Sequence, residues 1–304
     1  MSDHGNPFPC LVPGSTLGVM AASGAFDADV LNRGVATLEE MGFRVKLARG
    51  IHDQLRYLAG SDAQRAASVA EMFADPEVDA VIAARGGSGA LRILPLLDWE
   101  ALERHGKPLI GFSDVSALLA PLADRGMPVI HGPNVTTMAQ PHARTREWFW
   151  DALTRGPQDL VLENGESLSP GRATGRLVGG NLATLNHLTG TRFQPDFSRG
   201  ILFIEDIGEP AYKMDRMLSQ MKLAGMFDDI QGVVVGEFVH CEPMDYITAV
   251  LGEIFPRVPM FSGLPAGHGE LNFPLFLGRG VEMDAEAGSL RYLTDVRDNR
   301  GSQS

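Results

Sequence analysis

Ser113 stands where an apolar run, 107–112, gives way to an Ala- and Leu-rich periodic segment, 115–122. A serine at such a corner has two readings. As an N-cap, its hydroxyl would accept from an orphan amide of the first helical turn. As a nucleophile on a tight strand-to-helix turn, it would stand above a sheet with the amide of Asp114 aimed at a developing oxyanion. Gly111 supplies the small residue such a turn needs, but Val115 fills the second glycine position of G-x-S-x-G, so the α/β-hydrolase pattern is not met. Spacing alone leaves both readings open.

A serine nucleophile needs a base, and the chain offers His4, His52, His105, His131, His142, His187, His240 and His268. His187 lies in a helical apolar run, where packing explains it, and His4 and His52 sit in polar loops. His131, at a strand end, and His268, in the loop "GLPAGHGELNFPLFLG", are better placed, although each could equally hydrogen-bond a loop carbonyl. An acid must orient the imidazole. The run "GILFIEDIGEPAYKMDRML" ends an apolar strand on Glu205 and Asp206, with Glu209, Asp215 and Arg216 following, as a site or as a solvated strand end. In "AARGGSGALRILPLLDW", Arg85, Gly86, Gly87 and Ser88 form a glycine-rich turn able to cradle an anion with backbone amides. It matches neither G-x-G-x-x-G nor the Walker pattern, so an oxyanion or a substrate carboxylate suits it better than a nucleotide. No H-E-x-x-H or carboxylate cluster suggests a metal.

The elements that must position these residues follow an alternating pattern. From Thr16 to Val135, short apolar runs ("LGVMAAS", "FRVKLA", "VDAVIAARGG", "KPLIGFS", "PVIHGPN") are separated by helical segments, including one over 90–105. This predicts a parallel, Rossmann-like α/β sheet wound by right-handed crossovers, with ligands at the carboxyl ends of the strands. Ser23-Gly24, Arg85-Gly86-Gly87, Ser113-Asp114 and His131-Gly132 fall at those ends. After a connecting region with one short amphipathic helix, "GRLVGGN", "ILFIEDI", "QGVVVGEFV" and "SLRYLT" predict a smaller β-rich α+β domain. The expected division is 1–140, a linker 141–170, and 171–304. With 304 residues, two domains are the default.

Composition narrows the classes. A formal charge of −12 without any Lys/Arg cluster disfavours nucleic acid. No apolar run reaches spanning length and the N-terminus lacks a basic start and apolar h-region, so no membrane partner and a cytoplasmic chain with a short loose N-terminal arm are expected. Cys10 and Cys241 lie far apart without CxxC spacing, which suggests neither a disulfide framework nor a zinc cage.

Taken together, "ARGGSGALRILPLLDW", "IGFSDVSALL", "HGPNV", "GRLVGGNLATLNHLTGT", "LFIEDIGEPAYKMDRML" and "GHGELNFPLFLG" resemble, in order over about residues 13–280, the murein tetrapeptide LD-carboxypeptidases, serine peptidases related to the microcin-immunity peptidases. The resemblance implies a Ser113–Glu205–His268 triad, with the nucleophile on the first domain and the acid and base on the second. It also implies a homodimer and no metal or organic cofactor. The implied reaction cleaves the amide between the L-centre of a diamino acid and the terminal D-alanine of cytoplasmic muropeptides, in peptidoglycan recycling. The amides of Asp114 and of Gly86 or Gly87 are the expected oxyanion donors, and Arg85 the expected partner of the substrate carboxylate. Ser88 stands where members commonly carry tyrosine, which removes a ring from the cleft. Two alternatives remain: immunity-type hydrolysis of peptidyl- or aminoacyl-nucleotide conjugates, and a non-catalytic peptide-binding protein.

Overall fold

The computed structural model describes residues 8–162, 165–241 and 243–293. His4 lies outside the described residues, but the described part of the N-terminal arm, 8–15, is not loose as expected: Phe8 and Leu11 are buried in the core and the Leu11 amide donates to the Leu153 carbonyl at 2.7 Å. Five parallel strands, β1 (Thr16–Met20), β2 (Arg44–Leu47), β3 (Ala80–Ala83), β4 (Leu109–Gly111) and β5 (Val129–His131), pair in the order β2-β1-β3-β4-β5. Most of their residues are buried because helices cover the sheet, which is why the strands read as continuous apolar runs rather than alternating ones. The connecting helices α1 (Ala28–Glu40) and α2 (Asp62–Ala74) begin at Asp27 and Ser61, whose side chains accept from Val30 and Gln64 amides. Strand order reverses between β1 and β3, and the loops that follow them carry Gly24 and the Arg85-Gly86-Gly87 turn, joined by a bond from the Gly24 amide to the Gly86 carbonyl of 3.0 Å.

Residues 90–105, expected as one helix, divide into α3 (Ala90–Ile93), a 3-10 turn at Leu94–Leu96 and α4 (Trp99–His105). Pro95 cannot continue the amide ladder, and the Asp98 side chain starts a new helix by accepting from the Ala101 amide. After β4 comes a 3-10 turn, Ser113–Val115, then α5 (Ser116–Asp124).

The region expected as a linker is shared between the halves. Helix α6 (Ala143–Arg155) spends its apolar face on the first core, with Phe149 and Leu153 fully buried, while β6 (Leu160–Val161) and β7 (Glu166–Ser169) close opposite edges of a second sheet. That sheet continues through β8 (Arg172–Asn181), α7 (Leu182–Asn186), β9 (Gly200–Ile207), α8 (Ala211–Leu223), β10 (Gly232–Val239), α9 (Met244–Ile254) and β11 (Met260–Ser262). Its order is β6-β14-β13-β8-β9-β10-β11-β7, with β8 to β11 mutually parallel and β13 (Gly280–Asp284) and β14 (Ser289–Tyr292) antiparallel.

Strand β12 (Leu275–Leu277) leaves this half and pairs antiparallel with β5, Leu275 opposite His131. An antiparallel strand added to a parallel sheet starts at the carboxyl edge of its neighbours. The loop that precedes β12, 263–274, is thereby delivered to the edge where Ser113 lies. Among the described residues no helix is long and apolar enough to cross a membrane.

Candidate active site

Ser113 has φ of 64°, one of few non-glycine residues on the left-handed side. Such a conformation costs an L-residue about 1–2 kcal/mol and persists only where the surroundings impose it. The capping alternative is not realised: neither the turn at 113–115 nor α5 has a side-chain cap. The turn is held by other groups. Asn134 Oδ1 accepts from the Phe112 amide at 3.3 Å, and the buried Asp114 carboxylate accepts from the Ala90 amide at 2.7 Å, which ties the serine turn to the start of α3.

Gly86 lies directly against the serine. A Cβ built there falls 2.7 Å from Ser113 Cβ and 2.9 Å from Oγ, closer than any side chain tolerates. The amides of Gly86, Gly87 and Asp114 donate to no other group among the described residues, and they are the groups expected as oxyanion donors. Arg85 is exposed at the same turn; its Nη1 donates to the Ala25 carbonyl and it forms no ion pair among the described residues. Ser88 is exposed beside it.

From the second half comes a buried carboxylate. Glu205, on β9, is 0% exposed, and its Oε2 lies 2.6 Å from Nδ1 of His268, which keeps 14% of its side chain exposed. Gly267 makes this approach possible: its φ is 125°, and a Cβ there would sit 2.6 Å from Glu205 Oε2. Phe112, the residue before Ser113, packs its ring 4.8 Å from the His268 ring. The serine turn and the imidazole are thus neighbours, and Phe112 and His268 line a cavity of about 480 Å³ together with Pro133, Gln140, Thr145 and Asn272. That volume suits a small peptide.

Burial alone would push the Glu205 carboxyl up, but the imidazoles of His131 and His268 that face it prevail and hold it at about 2. For His268, burial pulls down while the bond to Glu205, that carboxylate's charge and the charge of Asp206 pull up; the net shift is upward. Asp206, next along β9, is pushed up to about 6, by burial first and by the Glu205 charge, against bonds from Ile207, Ala183 and Asn181.

Of the two histidines left open by the sequence, His131 is fully buried behind Glu205 and has no access to the cleft, whereas His268 faces it. Ser116 accepts from the Asn181 amide at 3.1 Å and joins α5 to the end of β8. No group of three His, Cys, Asp or Glu is arranged to hold a metal among the described residues. Two features escaped the sequence reading. Arg65, in α2, is fully buried and donates Nη1 to the carbonyls of Ala22 and Gly89, bracing the loops after β1 and β3. Glu237 stands beside Gly269 with its Oε2 unpartnered among the described residues. A polar residue in the middle of an apolar helical face was the available signal for Arg65, and one inside an apolar strand for Glu237.

The LD-carboxypeptidase N-terminal domain of peptidase family S66 matches residues 17–132, and its C-terminal domain matches 174–283. A putative carboxypeptidase of Synechocystis sp. is 36% identical over 94% of this chain and 97% of its own length. The chain belongs to the LD-carboxypeptidase family. By that membership it is a peptidase, a hydrolase. Among other LD-carboxypeptidase relatives, the murein tetrapeptide carboxypeptidase of Pseudomonas aeruginosa is 33% identical over 84% of this chain and 88% of its own. The crystal structure of an MccF-like protein from Bacillus anthracis shares the fold, with a TM-score of 0.87 at 23% identity over 95% of this chain and 99% of that one.

Proposed function

We propose that this LD-carboxypeptidase family member is a serine-type LD-carboxypeptidase acting on murein tetrapeptides, which releases the terminal D-alanine from the L-centre of a diamino acid. The observation that carries the reading is the buried Glu205–His268 pair, 2.6 Å apart, facing a serine turn whose Ser113 is held at φ 64°. His268 Nε2 takes the Ser113 proton as Oγ attacks the carbonyl of the L-centre. Glu205 fixes the Nδ1–H tautomer and stabilises the imidazolium. The oxyanion meets the unengaged amides of Asp114 and of Gly86 or Gly87. His268 then returns its proton to the departing D-alanine amine, and water, deprotonated by the same imidazole, hydrolyses the peptidyl ester on Ser113. Such a substrate belongs to peptidoglycan recycling and places the protein in the cytoplasm; a homodimer completes the proposal.

The test is to incubate the purified chain with an L-Ala-γ-D-Glu-diamino acid-D-Ala tetrapeptide and quantify free D-alanine. Release that disappears in Ser113→Ala is the expected result. Turnover of a peptidyl-nucleotide conjugate with no D-alanine released from the tetrapeptide would reassign the substrate.

A further inference from the structure

The Glu205 carboxylate has two oxygens, and only one is accounted for by His268. Oε1 points the other way, into the protein, and has no hydrogen-bond partner among the described residues. The nearest polar group is His131 Nε2, 3.6 Å away, on a ring that is fully buried and whose two nitrogens are also unpartnered. Three orphaned polar atoms on fully buried side chains are unusual, since each costs free energy comparable to a lost hydrogen bond. Two of them face one another, a few tenths of an ångström short of bonding distance. The ring that brings them there has little freedom. His131 stacks edge-on against Phe203 at 4.9 Å and Phe112 at 5.9 Å, and its Cδ2 is 3.9 Å from where a Cβ on Gly180 would stand. Its backbone is fixed between β4 and β12, opposite Gly111 and Leu275. Of the titratable groups around it, Glu205 of β9 is the one that faces it; His268 lies beyond the carboxylate, and Asp206 is turned to the opposite face of β9, against Asn181 and α7.

We propose that His131 is a positioning residue for the triad: its Nε2–H donates to Glu205 Oε1, so that the carboxylate bridges two imidazoles and its other oxygen is held on His268. The inference rests on the serine-peptidase reading of Ser113, His268 and Glu205. A carboxylate held at one oxygen only can rotate about its last torsion and lose its grip on Nδ1. Held at both, it keeps His268 in the tautomer that leaves Nε2 bare toward Ser113. The same contact connects the first sheet, through β5, to the acid carried by β9, so the geometry of the pair reports whether the two halves are correctly docked.

Two substitutions separate positioning from packing. His131→Phe keeps a ring between Phe112 and Phe203 but removes the donor. His131→Gln restores a side-chain N–H near the position of Nε2. The readout is the second-order rate at which a fluorophosphonate labels Ser113, followed from pH 5 to 9, because it needs the activated hydroxyl but no particular substrate. We expect the Phe variant to label about 10- to 100-fold more slowly, the range for one hydrogen bond to a charged group. Its acidic limb should move to higher pH, since a Glu205 anion with one partner fewer leans harder on the His268 proton. The Gln variant should recover most of both. Equal impairment of Phe and Gln, or a Phe variant with the wild-type rate and limb, overturns the proposal. Should the Phe variant fail to fold, the wild-type protein decides alone: ring ¹⁵N shifts must show His131 protonated at Nε2, and a bare Nε2 overturns it. Labelling of wild-type Ser113 without D-alanine release would count against the substrate and leave His131 untouched, whereas absence of labelling would count against the serine mechanism itself.

Discussion

The backbone at Ser113 makes a prediction about stability that is independent of any substrate. At φ 64° a side chain bearing a Cβ is strained by about 1–2 kcal/mol. Ser113→Ala keeps the Cβ and hence the strain, and no cap is lost because none is made; its stability should match wild type within a few tenths of a kcal/mol. Ser113→Gly removes the strain but adds about 0.5–1 kcal/mol of chain entropy to the unfolded state. The net gain is about 0–1.5 kcal/mol, or up to roughly 4 °C in the unfolding midpoint for a chain of this size. A capping serine gives another order, with alanine about 0.5–2 kcal/mol below wild type and glycine at or slightly below it. Both variants should lose turnover by on the order of 10⁵–10⁶ in kcat. The assay is paired urea and thermal unfolding of the three proteins alongside D-alanine release. A glycine variant less stable than wild type would refute the claim that Ser113 is held under strain.

Three further outcomes follow from the site. His268 must be neutral to accept a proton, and its pKa is raised above the ordinary histidine value, so kcat/KM should climb with pH along an acidic limb above 6.5; Glu205→Gln should drop the plateau by about 10³–10⁴ and shift that limb downward, because the anion holding the proton is gone. Gly86→Ala drives a Cβ to 2.7 Å from Ser113 Cβ and 3.2 Å from the Phe112 carbonyl, and should cost about 10²-fold or more in kcat by displacing Oγ, with only a few degrees lost on melting. For Arg85, exposed and without a carboxylate partner among the described residues, amidating the tetrapeptide terminus should impair wild type but add little to an Arg85→Ala variant; additive losses in kcat/KM would show that Arg85 does not read that carboxylate.

Much of the first sheet was legible because each of its strands is a buried apolar run followed by a helix of ordinary length. Breaks and short strands were not. Pro95 ended a helix that apolar periodicity carried to His105, and β11, β12 and β13 are three to five residues long, too short for a period of two to be distinctive. The partner of β12 was beyond local pattern altogether: "LFL" says buried strand, while its pairing with β5 depends on how the two halves dock. At the site, Ser113 stood out at a strand end, but spacing could not separate a cap from an elbow; the structure makes no side-chain cap there. His131 and His268 looked alike as loop-edge histidines, and only the register of Leu275 with His131 puts one behind Glu205 and the other in front. Arg65 stood in an apolar helical face with Asp62 three residues before it as an ion-pair partner, but the two carbonyls from distant loops that also satisfy it could not be read locally.

The adjacent acids of β9 were seen as one charged strand end, yet strand geometry makes them opposites. Side chains alternate along a strand. Ile201 and Phe203 pack into the core shared with the first half, and Leu202 and Ile204 into the core under α7, α8 and α9. Continuing the alternation, Glu205 falls on the face of Phe203, toward His131 and His268, and Asp206 on the face of Ile204, where it accepts from Ala183 and Asn181 at the start of α7. Two charges so close in a dry interior are costly. The cost is avoided by dividing their roles: Glu205, flanked by imidazoles, stays ionised down to about 2, while Asp206 is pushed up to about 6 and yields its charge first. A strand buried on both faces therefore presents a carboxylate to His131 and His268 from one side and anchors the helix behind it from the other. Shifting β9 by a single residue would exchange the two carboxylates and present His268 with the one whose oxygens are already bound by the backbone.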